Sequence, residues 1–242
     1  MTTYTMPESL KNVRTHYCPG CSHGIIHKIL AECIDELNMR ENTVGVSPVG
    51  CAVIAYEYLN LDMVEALHGR APAIATGLKR ALPDKLVFTY QGDGDLLAIG
   101  ISELIHAANR GENFTIIFVN NRVYGMTGGQ MAPTTAPGQK TLTTPYGRDG
   151  KMGEPIDVMH LIEPFSNVKY LARGAVYHPN EIRKTKNLIK RALEMQISGD
   201  GFSLVEVLAT CPTYWRMSPG EAMDYVKDNI APHVQMGVIK EQ

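Results

Sequence analysis

Leu86-Val87-Phe88-Thr89-Tyr90-Gln91-Gly92-Asp93-Gly94 and, further on, Phe114-Thr115-Ile116-Ile117-Phe118-Val119-Asn120-Asn121 decide the fold of this 242-residue chain. Each is a short run of β-branched and aromatic residues that ends in glycine or asparagine, the pattern of a buried strand entering a turn. Between them, over about 96–109, apolar residues recur at helical spacing. A strand–helix–strand unit closes with a right-handed crossover, which sets its two strands side by side and parallel. The alternation continues outward on both sides. A helix is expected over 24–38, with apolar residues at 26, 29, 30, 33, 34 and 37, then a strand over 43–46 and a helix over 71–82 stopped by Pro83. Beyond the pair lie a long Gly/Thr/Pro-rich loop over 120–154, a strand at 167–171, a helix over 179–197 and a strand at 202–207. The pattern predicts an α/β fold, a doubly wound and mostly parallel sheet covered on both faces, with 114–119 at its centre. No linker-like shift in composition interrupts it, so residues 1–242 read as a single domain. Its tail, with a short helix near 220–229, is expected to contact a partner chain.

Composition narrows the function classes. Hydrophobic residues make up 44 % and charged residues 20 %, which supplies a core and excludes a disordered or collagen-like chain. No run approaches the roughly 18 apolar residues of a membrane helix. The start, Met1-Thr2-Thr3-Tyr4-Thr5-Met6-Pro7-Glu8, lacks the basic and apolar segments of a secretory leader. A net charge of −2 with no Lys/Arg run argues against nucleic acid or an anionic membrane as partner. Five cysteines without a leader point to a reducing, cytoplasmic setting, where thiols bind metal or do redox chemistry more often than they pair.

The sharpest chemical signal is Gly92-Asp93-Gly94 followed, after 25 residues (95–119), by Asn120-Asn121. Both halves end predicted strands, and open α/β sheets bind ligands at the carboxyl ends of their strands. Asp93 and Asn121 can offer oxygens to one hard cation. Gly92 and Gly94 let backbone approach a phosphate, and the following helix start offers unpaired N–H groups. Magnesium suits such a site, because it takes few protein oxygens and completes its shell with ligand phosphates. The residues therefore read as a Mg²⁺-bridged diphosphate site.

Cysteines supply the second signal. Cys18-Pro19-Gly20-Cys21 is a C-x-x-C knuckle, Cys51 follows Gly50 in a loop after a strand, and Cys211 precedes Pro212 after the last strand. Cys33 falls on the apolar face of the first helix and reads as core. Four loop cysteines invite a Cys₄ site, and spacing leaves zinc and 4Fe–4S both open. His16, His23 and His27 read as a scatter flanking the first helix, satisfied or exposed.

The Gly-Asp-Gly…Asn-Asn pattern resembles the diphosphate signature of thiamine-diphosphate enzymes. With Tyr17-Cys18-Pro19-Gly20-Cys21-Ser22-His23-Gly24, Pro48-Val49-Gly50-Cys51, His68-Gly69-Arg70-Ala71-Pro72, the run Asn120-Asn121-Arg122-Val123-Tyr124-Gly125-Met126-Thr127-Gly128-Gly129-Gln130, and Glu206-Val207-Leu208-Ala209-Thr210-Cys211-Pro212, the chain resembles β subunits of 2-oxoacid:ferredoxin oxidoreductases. The likeness is to the type acting on 2-oxoglutarate and branched-chain 2-oxoacids. It implies a 4Fe–4S cluster on Cys18, Cys21, Cys51 and Cys211, and Mg²⁺ on Asp93, Asn121 and the Val123 carbonyl. It also implies cofactor contacts from Gly50, Cys51, His68, Gly92, Gly94, Asp95, Asn120, Tyr124, Thr127 and Gly128. Ser22 stands where a glycine is common in the family. Cys51, His68 and Arg70 are the candidate catalytic residues, the latter two because their donors suit a diphosphate or a substrate carboxylate.

The same resemblance implies oxidative decarboxylation of a 2-oxoacid, with coenzyme A taking the acyl group and ferredoxin the electrons. The ring-activating glutamate is expected on an α subunit, the working unit being (αβ)₂, and small ferredoxin-like subunits are allowed as further partners. 2-Oxoglutarate is favoured over branched-chain substrates, with Arg70 or Arg122 as the cation for its distal carboxylate. The competing readings are a non-redox thiamine-diphosphate decarboxylase or carboligase with structural zinc, and a non-catalytic diphosphate-binding module.

Overall fold

The computed structural model describes residues 5–242; the first four residues of the start analysed above lie outside them. In chain order the elements are α1 (His23–Glu36), β1 (Thr43–Pro48), β2 (Asp62–Ala66), α2 (Ala71–Ala81), β3 (Leu86–Gly92) and a wide, π-helical turn (Gly94–Ile99) leading into α3 (Ile101–Arg110). Then come β4 (Thr115–Asn120), the hairpin β5 (Val123–Tyr124) and β6 (Gln130–Met131), α4 (Val158–Ile162), β7 (Val168–Ala175), α5 (Pro179–Ser198) and β8 (Phe202–Leu208). The chain closes with α6 (Pro212–Trp215), α7 (Pro219–Tyr225) and β9 (Gly237–Glu241).

Seven strands form one sheet in the order β2-β1-β3-β4-β8-β7-β9. All neighbours are parallel except β7 and β9. β4, read as central, is the fourth strand of seven, and it pairs with β3 in the expected parallel register, Phe88 opposite Thr115 and Gly92 opposite Val119. Successive strand residues point to opposite faces, and both faces are covered. Phe88, Tyr90, Ile117 and Val119 pack with Ile26 and Leu30 of α1 and Ile189 and Leu193 of α5. Val87, Ile116 and Phe118 pack on the other side with Leu104 and Ala107 of α3 and Val158 and Ile162 of α4. Burial on both faces is why these strands read as apolar runs rather than alternating ones.

Two features depart from the sequence reading. β2 is an edge strand whose residues are mostly half-exposed, so Asp62-Met63-Val64-Glu65-Ala66 carries little apolar signal. The helix expected over 96–109 breaks at Gly100, where a Cβ would lie 2.6 Å from the Asp95 carbonyl oxygen and 2.7 Å from that of Gly69. The tail packs on the chain's own fold. Val226 and Ile230 bury against Ala175 and Leu208, and β9 pairs antiparallel with β7. Among the described residues no helix is long and apolar enough to cross a membrane.

The connections leave β1 and β3 in opposite directions, β1 leading outward to β2 and β3 leading across to β4. Their carboxyl ends therefore frame the crevice in which open α/β sheets take ligands.

Candidate active site

A cavity of about 310 Å³ opens at that crevice. Its walls come from the segment after β1 (Pro48, Val49, Gly50, Cys51, Ala52), the turn after β3 (Gly92–Asp95) and the stretch after β4 (Asn121, Val123–Thr127). Gly50 holds φ +137°, a backbone state open to glycine alone, and this turns Cys51 into the cavity. Gly94 is needed for a different reason. A Cβ there would sit 2.7 Å from the Tyr124 ring, so only glycine lets that ring lie against the turn.

Asp93 is 3 % exposed. Its carboxylate accepts from the Gly94 amide (2.8 Å) and the Thr134 hydroxyl (2.8 Å). Burial nevertheless pushes its pKa up to about 7, because taking a carboxylate out of water disfavours its charged form. Asn121 sits across the crevice; its side-chain oxygen accepts from the Val123 amide (3.2 Å) and its carbonyl from Trp215 Nε1 (3.1 Å). Asp93, Asn121 and Val123 are thus brought to one cavity, an all-oxygen donor set suited to a hard cation.

Asp95 also lines the cavity but is occupied by protein. Its oxygens accept from the Gly69 amide (2.6 Å), His68 Nδ1 (2.6 Å) and Gln91 Nε2 (2.7 Å). It thereby ties the 68–70 turn to β3 and aims His68 into the cavity. Arg70, expected beside His68 as a catalytic group, does not line the cavity. Its guanidinium pairs with Glu103 of α3, because it stands just before the first residue of α2 and faces that helix's neighbour. Asn120 is likewise turned away. Its amide donates to Glu206 (2.7 Å) and its oxygen accepts from the Arg122 amide (3.1 Å), so it shapes the turn that presents Asn121 and Val123. Thr127 reaches the cavity, while Gly128, at φ +118°, shapes the same turn without lining it.

Cys51 lines this cavity, and the other three loop cysteines lie near it. A Cβ on Gly125 would be 3.1 Å from Cys51 Sγ and 3.7 Å from Cys211 Sγ, so both thiols close on one glycine. The knuckle is held nearby by side chains. The Cys21 amide donates to the Cys18 carbonyl (3.0 Å), Thr210 donates to the Gly20 carbonyl (2.7 Å), and Ser22 Oγ accepts from the Thr210 amide (2.8 Å). Ser22, the departure from the family pattern, is therefore a tie between the Cys21 and Cys211 segments. Burial pushes the Cys51 thiol up to about 11 and Cys211 to about 12; Cys21 and Cys18 add to both shifts, and Cys51 to that of Cys211. Cys33 is apart from them, fully buried on α1 and bonded to the Lys186 carbonyl (3.3 Å), as its core reading expects. Among the described residues no three His, Cys, Asp or Glu side chains are drawn close enough to hold a single metal ion.

Sequence reasoning missed two pocket residues. His23 and Tyr90 line the cavity, joined by a 2.8 Å hydrogen bond at His23 Nδ1. Burial lowers the His23 pKa to about 4 and that of His27 to about 3. Both are core groups rather than a surface scatter. The available signal was their i, i+4 spacing on the apolar face of α1.

Comparison with known proteins agrees with this geometry. Residues 48–207 match the family described as thiamine pyrophosphate enzyme, C-terminal TPP-binding domain. The ketoisovalerate oxidoreductase subunit VorA of Methanothermobacter marburgensis is 50 % identical over 89 % of this chain, and the chain spans 45 % of that relative's length. The 2-oxoglutarate synthase subunit KorB of Archaeoglobus fulgidus is 39 % identical over 89 % of this chain and 76 % of its own. A solved 2-oxoglutarate:ferredoxin oxidoreductase from Magnetococcus marinus, with 2-oxoglutarate, coenzyme A and succinyl-CoA bound, superposes with TM-score 0.82 at 27 % identity, covering all of this chain and 86 % of its counterpart. This chain belongs to the thiamine pyrophosphate enzymes and, within them, to the family of 2-oxoacid oxidoreductase subunits that includes KorB.

Proposed function

We propose that the chain is the thiamine-diphosphate-binding β subunit of a 2-oxoacid:ferredoxin oxidoreductase, converting a 2-oxoacid and coenzyme A to acyl-CoA and CO₂ and releasing two electrons. One observation carries the redox half of this reading. Cys51 lines the cavity and also closes with Cys211 on Gly125, so a cluster held there would adjoin the reacting centre. Asp93, Asn121 and the Val123 carbonyl would hold Mg²⁺, and Gly92 and Gly94 would admit the diphosphate. Cys18, Cys21, Cys51 and Cys211 would hold a 4Fe–4S cluster. Thiamine diphosphate supplies carbanion chemistry for decarboxylation and the cluster a one-electron outlet. The chain's own contribution is position and exclusion of water. The Asp95 tie sets His68 at the mouth, and Val49, Ile99 and Met126 give apolar walls.

An α subunit would complete the site with its glutamate, in an (αβ)₂ unit that passes electrons to ferredoxin. For the substrate, the cavity favours a second reading over 2-oxoglutarate. Neither Arg70 nor Arg122 lines it, nor does any other Arg or Lys among the described residues. A branched-chain 2-oxoacid fits the apolar walls, in line with the ketoisovalerate relative. The test is the visible spectrum of the anaerobically purified chain, with iron and sulfide counted. About four irons per chain and a band that bleaches on reduction are expected. A colourless protein carrying one zinc would overturn the redox reading in favour of a non-oxidative thiamine-diphosphate enzyme.

A further inference from the structure

The His23–Tyr90 pair is the one hydrogen-bonded couple in the cavity wall that nothing above employs. Tyr90 is wholly buried and its hydroxyl has a single protein partner, His23 Nδ1. Among the described residues no other acceptor is in reach of this fully buried hydroxyl, and a buried O–H left unpaired is costly, so it donates to Nδ1. In a neutral imidazole one nitrogen accepts and the other carries the proton, so His23 is protonated on Nε2. The imidazole is 96 % buried by its 4 % exposure. Nε2 has no protein partner, yet it is not sealed in as His27 Nδ1 is, and the ring lines the cavity. Tyr17 stacks on its face at 4.7 Å and 17°, which fixes the ring plane while Tyr90 fixes its rotation. The result is an N–H donor held in place before any ligand arrives and aimed into a mainly apolar cavity.

We infer that His23 Nε2–H hydrogen-bonds the 2-oxo oxygen of the substrate, where negative charge gathers as the carbonyl carbon is attacked. The other polar groups of the cavity are less suited to that task. Asp93 and Asn121 are placed for the cation. His68 is already tied at Nδ1 to Asp95. His23 is then the catalytic residue contributed by α1, and Tyr90 a positioning residue that selects its tautomer. Preorganised donors of this kind act where charge develops, and loss of one typically lowers kcat about 10²–10³-fold.

This inference rests on the 2-oxoacid reading of the site, and the experiment separates the two. His23→Leu, His23→Gln and Tyr90→Phe are made in the assembled enzyme, and kcat and KM for the 2-oxoacid are measured with a dye acceptor beside iron content. His23→Leu is expected to lower kcat about 10²–10³-fold with KM changed only a few-fold and iron retained. His23→Gln, which keeps an N–H at similar reach, recovers at least tenfold of that loss, and Tyr90→Phe falls between. Independently of activity, ¹⁵N spectra of the histidine-labelled chain report the Nε2-protonated tautomer for His23, a preference that Tyr90→Phe removes. Equal kcat in His23→Leu and wild type, equal loss in the Leu and Gln variants, or an Nδ1-protonated ring would each overturn the inference. A wild-type enzyme that oxidises no 2-oxoacid would instead overturn the proposed function.

Discussion

Truncation of Glu206 is expected to damage the fold and the cation site together. Glu206, on β8, is 3 % exposed, as is Arg173 on the neighbouring β7. One carboxylate oxygen accepts from Arg173 Nε at 2.6 Å and the other from the Asn120 amide at 2.7 Å. Arg173 Nη2 reaches Asp157 at 2.5 Å. Changing Glu206 to Leu leaves a buried guanidinium with only the half-exposed Asp157 as counterion. Removal of one member of a buried pair typically costs about 3–5 kcal/mol, whereas replacing both with apolar groups is often neutral. Glu206→Leu is therefore expected to lose about 3–4 kcal/mol, reduced from the upper figure because Asp157 remains. For a chain of this size each kcal/mol shifts Tm by about 2–4 °C, so the loss is about 10 °C. The double variant Glu206→Leu/Arg173→Met should recover at least half of the lost stability. Neither variant restores the hold on Asn120, so Mg²⁺-dependent binding of thiamine diphosphate stays weakened in both. Urea unfolding gives the stabilities and calorimetric titration the affinity. A loss under about 1 kcal/mol in the single variant, or a double variant no better than the single, would refute the reasoning, as would unchanged cofactor affinity.

Two further outcomes are expected. Gly125→Ala places a methyl group 3.1 Å from Cys51 Sγ and should lower bound iron at least several-fold, whereas Cys33→Ala should keep full iron occupancy; equal iron in all three proteins would contradict the assembly of Cys51 and Cys211 around Gly125. Burial holds the His27 pKa at about 3 in the folded chain, against about 6.5 when unfolded, so the unfolded state binds the extra proton and the stabilising effect is complete above pH 6.5 and lost as pH falls. Between pH 7 and 5 this group alone should remove about 2 kcal/mol, measured as the difference in unfolding free energy between wild type and His27→Phe across that range; parallel pH profiles would exclude it.

Much of the candidate cavity lining was legible because its residues are local in sequence. Gly92, Asp93 and Gly94 are consecutive, Asn121 ends the next strand, and the crossover rule alone brings those two ends together. The cysteine knuckle is equally short-range. Arg70 is not in the cavity although its neighbour His68 lines it, because its side chain finds Glu103 on a helix more than thirty residues on. His23 escaped because helical spacing marks a buried face without saying what lies beneath it, and here the cavity does. The tail's packing was not legible for a related reason: its apolar residues could cover any surface, and Ala175 and Leu208 are among those they cover.

The sequence by itself determined the α/β class, the central place of β4, the Gly92-Asp93-Gly94 turn at a strand's carboxyl end and the set of loop cysteines, since all follow from periodicity, turn chemistry and motifs within one or two elements. Only the tertiary structure decided which donors face the cavity. It turned Arg70 and Asn120 away, gave Asp95 to Gly69 and His68, brought Cys211 to Cys51 across Gly125, and set His23 against Tyr90. Those outcomes depend on contacts between segments 26 to 160 residues apart (Gly69 to Asp95, Cys51 to Cys211), where sheet order and packing, not local propensity, choose the partner.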